Sequence, residues 1–400
     1  MNIVKSAWLW MFMAMLILSM TPGAAQAQSG SSTKGIRAGA FTIEPKLTVG
    51  TAYSDNIFAT KRNKESEWIT TVNPEVDVVS GWSRHSLKLN TGLNAGFHAS
   101  ESGEDYVDAN IRVDGRIDVR RESFMRAWVG FDRLHEERGS PDVSGAWDEP
   151  AVYYRTTGNM SYHHGFNRFS LTAGGGVSRY DYKSVALREG GSQNLSIRDR
   201  NVYNLNARMA YELHPDIYPF ITASYDWRRY DKSEARRDSQ GYRIGAGTGF
   251  GITRVISGEV FAGYLSQDYD DREEITGLWY GMSLLWDVTP MTTIKARAES
   301  SVMETSRRDS TGIKSAQAGI SIDHELLRNL LLGAFMDYER YEYKGENITD
   351  DYYTLGPSVT YLWNRYLSAK AQFSHRARNS NRSEREYKEN RFSMSITGSF

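Results

Sequence analysis

The residues with chemistry to offer stand at every second position around residue 110. Asp108, Asn110, Arg112, Asp114, Arg116 and Asp118 alternate with Val107, Ala109, Ile111, Val113, Ile117 and Val119. Period two marks a β-strand, whose successive side chains point to opposite faces. Six polar positions in register, five of them charged, cannot share a dry core. That face requires water, and the opposite face requires an oily surrounding. The same alternation places Arg126, Asp132, Arg208, Arg243, Lys295, Arg297 and Glu299 on polar strand faces. A wall carrying both signs tunes the passage of hydrated polar solutes rather than apolar ones. Pairs of Arg with Asp or Glu on neighbouring strands would equally stiffen such a wall. Tyr153, Tyr180, Tyr218 and Phe220 are candidate platforms on which a carbohydrate could stack.

Catalytic chemistry is not signalled. The eight histidines, His85, His98, His135, His163, His164, His214, His324 and His375, are scattered. None lies in a nucleophile motif and none has a paired-ligand spacing, so no catalytic residue, metal or cofactor is expected. Gly245, Gly247, Gly249 and Gly251 compete as a nucleotide-binding loop. That reading fails because no helical pattern follows and all four fall on one strand face. There they leave room or let a sheet bend. The formal net charge of −1 argues against a dedicated nucleic-acid binder.

These faces must be held by a closed sheet. Lys5, an apolar run from Ala7 to Met20 and the sequence Ala25-Gln26-Ala27 read as a signal peptide cleaved after Ala27. Residues 28–39 read as a flexible periplasmic leader, and residues 40–400 as one β-barrel. The chain of 400 residues has no cysteine, which fits export without disulfides. Beyond the N-terminus no stretch reaches the roughly 18 apolar residues of a membrane helix, whereas a barrel spans a bilayer with only alternate residues facing lipid.

Alternating segments predict an all-β, antiparallel, up-and-down transmembrane barrel of about eighteen strands, with 16 or 20 if one hairpin is miscounted. The expected strands are 40–53, 67–79, 85–99, 105–120, 123–134, 150–163, 167–181, 198–213, 217–230, 240–253, 255–268, 275–288, 292–303, 312–325, 329–343, 351–362, 366–376 and 387–400. Long charged connections alternate with short ones, the asymmetry of outer-membrane barrels with both termini in the periplasm. A bladed propeller is the structural alternative. Tyr53, Trp68, Trp82, Tyr162, Tyr180, Tyr211, Trp227, Tyr230, Trp286, Tyr338, Tyr361 and Trp363 lie near strand ends and suit two interfacial girdles. The long segments 135–149 and 183–196 could fold inward and plug the barrel.

The last strand, YKENRFSMSITGSF, alternates Phe392, Met394, Ile396, Gly398 and Phe400 with serines and threonine. It resembles the closing strand of a Gram-negative outer-membrane barrel, which implies that Phe400 is the signal read by the insertion machinery. With the opening stretch Ala52-Tyr53-Ser54-Asp55-Asn56-Ile57-Phe58, the chain resembles the Putative beta-barrel porin 2 family. That resemblance implies a place in the outer membrane among lipid and lipopolysaccharide. It also implies the outer-membrane step of capsular or exopolysaccharide export, with periplasmic export components as partners. A general or selective diffusion porin and a loop-plugged structural or adhesive barrel are the alternatives. The oligomeric state is not fixed by the sequence.

Overall fold

The computed structural model of the chain describes residues 35–143, 145–252 and 255–400. The signal peptide, its Ala27 site and the leader up to residue 34 lie outside the described residues.

Among the described residues eighteen long strands form the wall, in order. They are β1 Phe41–Ser54, β2 Glu67–Ser80, β3 Ser86–His98, β4 Tyr106–Arg120, β5 Ser123–His135, β6 Val152–Phe166, β7 Phe169–Tyr182, β8 Arg200–Tyr211 and β9 Ile217–Tyr230. They continue with β10 Ser239–Ile252, β11 Ile256–Tyr269, β12 Ile275–Thr289, β13 Thr292–Met303, β14 Ile313–Leu327, β15 Leu330–Tyr343, β16 Ile348–Leu362, β17 Leu367–Ser380 and β18 Tyr387–Ser399. Each pairs antiparallel with its sequence neighbour, and β18 pairs with β1 from Lys46↔Ser399 to Ser54↔Arg391. The sheet therefore closes, and no backbone edge is left facing lipid.

The alternation read in β4 is realised in the wall. Ile111, Ile117, Val129, Ile221, Ile244, Leu278 and Met394 are each about half exposed on the outer face. A band of that size is tolerable only against lipid.

Two boundaries differ from the expected ones for a physical reason. β16 starts at Ile348 rather than 351, and β17 runs to Ser380 rather than 376. Their polar ends keep pairing, through Asp350↔Ser380 and Asp351↔Asn379, because the ladder satisfies their backbone beyond the oily zone.

The leader also differs from the expectation of flexibility up to residue 39. Ile36–Ala38 folds back on β1, with Ile36↔Ile43 and Ala38↔Phe41 in register. The turn uses Gly39 at φ +62°, a conformation that costs glycine nothing. The β18 ladder reaches only Lys46, and the Phe400 N–H caps the Pro45 carbonyl at 3.1 Å. The short strand covers the part of the β1 edge that β18 is too short to reach.

A barrel has no central core, and the buried apolar clusters sit at the long-loop end. One joins Ile313, Tyr341, Tyr343, Ile348, Tyr352 and Tyr387. The other joins Trp147, Ala151, Val185 and Leu195 in the 136–151 and 183–199 connections.

Candidate functional site

The inner wall begins with the charged positions. Arg112 donates to Asp114 at 2.9 Å and Arg116 to Asp118 at 2.7 Å, each two residues along the same face of β4. Across strands, Arg155 donates to Asp132 at 3.0 Å, Arg208 to Glu259 at 2.7 Å and Arg243 to Asp226 at 3.1 Å. Lys295 meets Asp323 at 3.0 Å and Arg297 meets Asp337 at 2.9 Å, both cations well exposed to the lumen. Asp108 accepts from the His135 backbone N–H at 2.9 Å. Arg126 lies 4.7 Å from the Phe124 ring, and Glu299 stands opposite Gln317. Apart from the buried Asp226, these pairs are open to water, and such pairs are each worth little to stability. Their effect is to line the lumen with donors and acceptors of nearly balanced charge.

Aromatic rings occupy a second sector, built by β9 to β12. Phe261 and Trp279 have centroids 4.7 Å apart, and Phe220 and Phe261 lie 6.4 Å apart. The inward glycines of β10 make room for these rings. A Cβ on Gly249 would stand 2.3 Å from the Tyr218 ring, one on Gly247 2.5 Å from Phe261 Cβ, and one on Gly245 3.3 Å from Trp279. A Cβ on Gly281 of β12 would stand 2.3 Å from the Phe261 ring. The Trp279 ring lies beside the Arg243 guanidinium, its centroid 5.9 Å away.

Phe220 departs from its reading as a stacking platform. It is only 3% exposed, and the Arg208 guanidinium covers its ring at 3.5 Å. It supports the track rather than presenting a face. Tyr218 is open to the lumen, 39% exposed.

The third component is a lid at the long-loop end. The 136–151 connection leaves β5 and crosses to strands half the circumference away. There the Tyr352 and Tyr343 hydroxyls donate to the carbonyls of Gly139 and Pro141, both at 3.0 Å. Arg378 and Arg385 donate to the same two carbonyls at 3.3 Å. Asp142 accepts from the Thr305 hydroxyl at 2.7 Å and the Ser306 N–H at 2.6 Å. On the near side Arg138 donates to Glu104 at 2.8 Å and Arg198 to Glu136 at 2.9 Å, with all four side chains largely buried. Trp147 donates to Gln193 at 2.8 Å, so the 136–151 and 183–199 segments form one body.

Beneath the lid lies a cavity of 570 Å³, with Tyr153, Tyr180, Tyr182 and Tyr230 in its wall. Tyr153 stacks between Tyr182 at 5.0 Å and Tyr180 at 6.4 Å. Tyr180 and Tyr230 thus face inward rather than joining a lipid-side girdle, because they share strand parity with Ser178 and with Asp226 and Arg228, and there Arg200 and Glu304 meet them. Glu304, outside the strands, binds Arg228 and accepts from Tyr230 at 2.6 Å and Tyr269 at 3.0 Å. Burial pushes its carboxyl up, but Arg228 and Arg200 outweigh burial and hold it below the usual carboxylate value.

Some of this wall was missed from sequence. Phe261, Trp279 and Trp128 share the parity of inward charges, and that parity was the available signal. Trp128 carries the Arg112 guanidinium 3.8 Å above its ring. The partners of the lid, separated by up to 244 residues, leave no local trace.

Among the described residues one serine–histidine hydrogen bond occurs, between Ser123 and His164 at 2.6 Å. Ser123 is 2% exposed, and no carboxylate orients His164 among the described residues, so the pair is not an accessible nucleophile.

Comparison with protein families matches residues 31–400 to the family described as Putative beta-barrel porin 2. The chain belongs to this family. The barrel is therefore a porin-type protein of the outer membrane. No curated protein matches the sequence. Among solved structures the chain is similar to proteins of Pseudomonas aeruginosa that include the siderophore receptor PirA, OpdO and the outer membrane protein OpdK. The siderophore receptor PirA shares 10% identity at TM-score 0.47, over 90% of this chain and 80% of that one. OpdO shares 14% at 0.46 over 90% and 97%, and OpdK shares 11% at 0.46 over 90% and 99%. The family match, rather than these distant likenesses, places the chain.

Proposed function

We propose that this porin conducts a hydrated carbohydrate chain across the outer membrane, as the outer-membrane step of capsular or exopolysaccharide export. The observation that carries the reading is the wall of β9 to β12. Trp279, Phe261 and Tyr218 lie over glycine backbone beside the Arg208–Glu259 and Arg243–Asp226 pairs. Sugar rings stack on such faces through their C–H edges, while their hydroxyls exchange hydrogen bonds with paired charges. The charge balance keeps the chain moving, because binding stays weak at each station. In this reading the short turns face the periplasm, where export components would deliver the polymer, and the lid faces outside.

The lid also favours a second reading. With residues 136–151 anchored across the mouth, only small solutes pass beside it, as in a diffusion porin. Single-channel recording in planar bilayers separates the two. Added neutral and acidic oligosaccharides should interrupt the current of the wild-type pore, and Trp279→Ala with Phe261→Ala should weaken the block at least tenfold. Unaltered block in that variant, or current indifferent to sugars, rejects the export channel in favour of the diffusion porin.

A further inference from the structure

The cavity under the lid holds a cation that no carboxylate among the described residues touches, with Glu304 acting on it only through space. Arg200, the first residue of β8, lies with its guanidinium 4.3 Å from the Tyr180 ring and 5.7 Å from that of Tyr230. One terminal nitrogen donates to the Arg198 carbonyl at 2.9 Å. Its Nε–H is buried and meets no acceptor. Among the described residues no carboxylate lies within 4 Å of it.

Its neighbours differ. Arg198 has Glu136, Arg155 has Asp132, and Arg228 has both Asp226 and Glu304. The other acids at the cavity are engaged elsewhere. Glu137 meets Arg376 at 3.5 Å, and Asp142 is held by Thr305 and Ser306. Arg237 adds a second guanidinium whose hydrogen bonds go to carbonyls, at 3.1 Å to both Thr311 and Ser310. The site therefore keeps net positive charge in a place where screening by water is reduced.

We infer that this cavity is a subsite for an anionic sugar residue, with Arg200 receiving the carboxylate and Tyr153 and Tyr180 flanking the pyranose ring. The chemistry follows from the groups. A buried N–H without an acceptor is costly unless a ligand supplies one, and a guanidinium fork matches a carboxylate. Tyrosine faces beside it suit a sugar ring rather than a bare ion. The volume of 570 Å³ accommodates a sugar unit or two with water. The inference rests on the carbohydrate reading above and narrows it from polar chains to acidic ones.

Calorimetry on the full-length protein in detergent tests it without requiring an open pore. The probes are tetragalacturonate, maltotetraose and sodium phosphate, on wild type, Arg200→Gln, Arg200→Lys and Tyr153→Ala, each checked for heat-resistant barrel mobility on gels. Tetragalacturonate should bind wild type at least tenfold more tightly than maltotetraose. Arg200→Gln should erase that margin, Arg200→Lys should retain part of it, and Tyr153→Ala should weaken both sugars. Equal binding of the two sugars by wild type overturns the anionic subsite and leaves the carbohydrate channel standing. Binding of neither sugar overturns both. Phosphate binding as tightly as tetragalacturonate, with Tyr153→Ala inert, overturns the sugar assignment and leaves a simple anion site.

Discussion

The Tyr352 hydroxyl and the Gly139 carbonyl meet at 3.0 Å although 213 positions separate them. Tyr352 belongs to the wall and Gly139 to the lid, so this bond reports directly on whether the mouth is spanned. Tyr352 is 3% exposed, and Arg378 donates to its oxygen at 3.0 Å.

Replacing Tyr352 by Phe keeps the ring and removes both hydrogen bonds of the hydroxyl, of which the one to Gly139 joins wall to lid. Such a bond is worth about 1 kcal/mol, roughly a fivefold change in an equilibrium. Single-channel records of Tyr352→Phe should show the fully open level about five times more often. Unchanged dwell times would mean that the lid does not gate.

Shortening the lid tests the same element more severely. Replacing residues 137–149 with a short Gly-Ser connection should raise conductance severalfold while leaving the barrel fold intact, measured by conductance and by heat-modifiable gel mobility. Conductance equal to wild type would show that the lid is not the constriction.

Acid should release the mouth. The Glu304 carboxyl is held below its ordinary value of 4.5. Glu346 is likewise lowered by its hydrogen bonds from Arg307, against burial. A carboxyl depressed in the folded state stabilises it fully above the unfolded value, and that stabilisation fades as pH falls through the folded value. Open probability should therefore stay flat from pH 8 to about pH 5 and rise only below about pH 4.5. A rise centred near pH 6 to 7 would point to histidine instead.

The glycine floor gives a paired test. Gly247→Ala puts a methyl group 2.2 Å from the Val260 carbonyl oxygen, whereas Gly251→Ala meets nothing within 4 Å. Overpacking costs about 1–3 kcal/mol, so Gly247→Ala should lower the urea midpoint and weaken sugar block. Gly251→Ala should match wild type in both assays.

Val113 and Arg112 are neighbours in β4 on opposite faces. Val113→Arg places a charge at mid-strand against lipid and should cost about 2–4 kcal/mol in refolding into bilayers. Arg112→Val should refold nearly as wild type and change ion selectivity. Equal costs would reverse the assignment of the two faces.

Most of the barrel was readable because period two is a local property. β4 shows both faces within fifteen residues, and the terminal Phe392-to-Phe400 alternation does so again. The strand number followed from alternating connection lengths, which also depend on nearby residues. The site was less readable. Tyr180 faces the lumen by its parity with Ser178, but what covers its ring depends on Arg200, one strand over, and Phe220 lost its free face to Arg208, which projects from the neighbouring strand. The lid is held by carbonyls of Gly139 and Pro141, and a carbonyl carries no side-chain signature at all.

The seam between β1 and β18 pairs nine residues, against fourteen between β1 and β2. It is also the one junction whose partners lie at opposite ends of the sequence. Closing it confines a loop of several hundred residues, yet this entropy grows only logarithmically with length. The seam is expected to close last and to part first. Amide exchange at Val49 and Ile396 should outrun that at the β15–β16 junction, which would make the seam the natural doorway through which the finished wall leaves an assembly template.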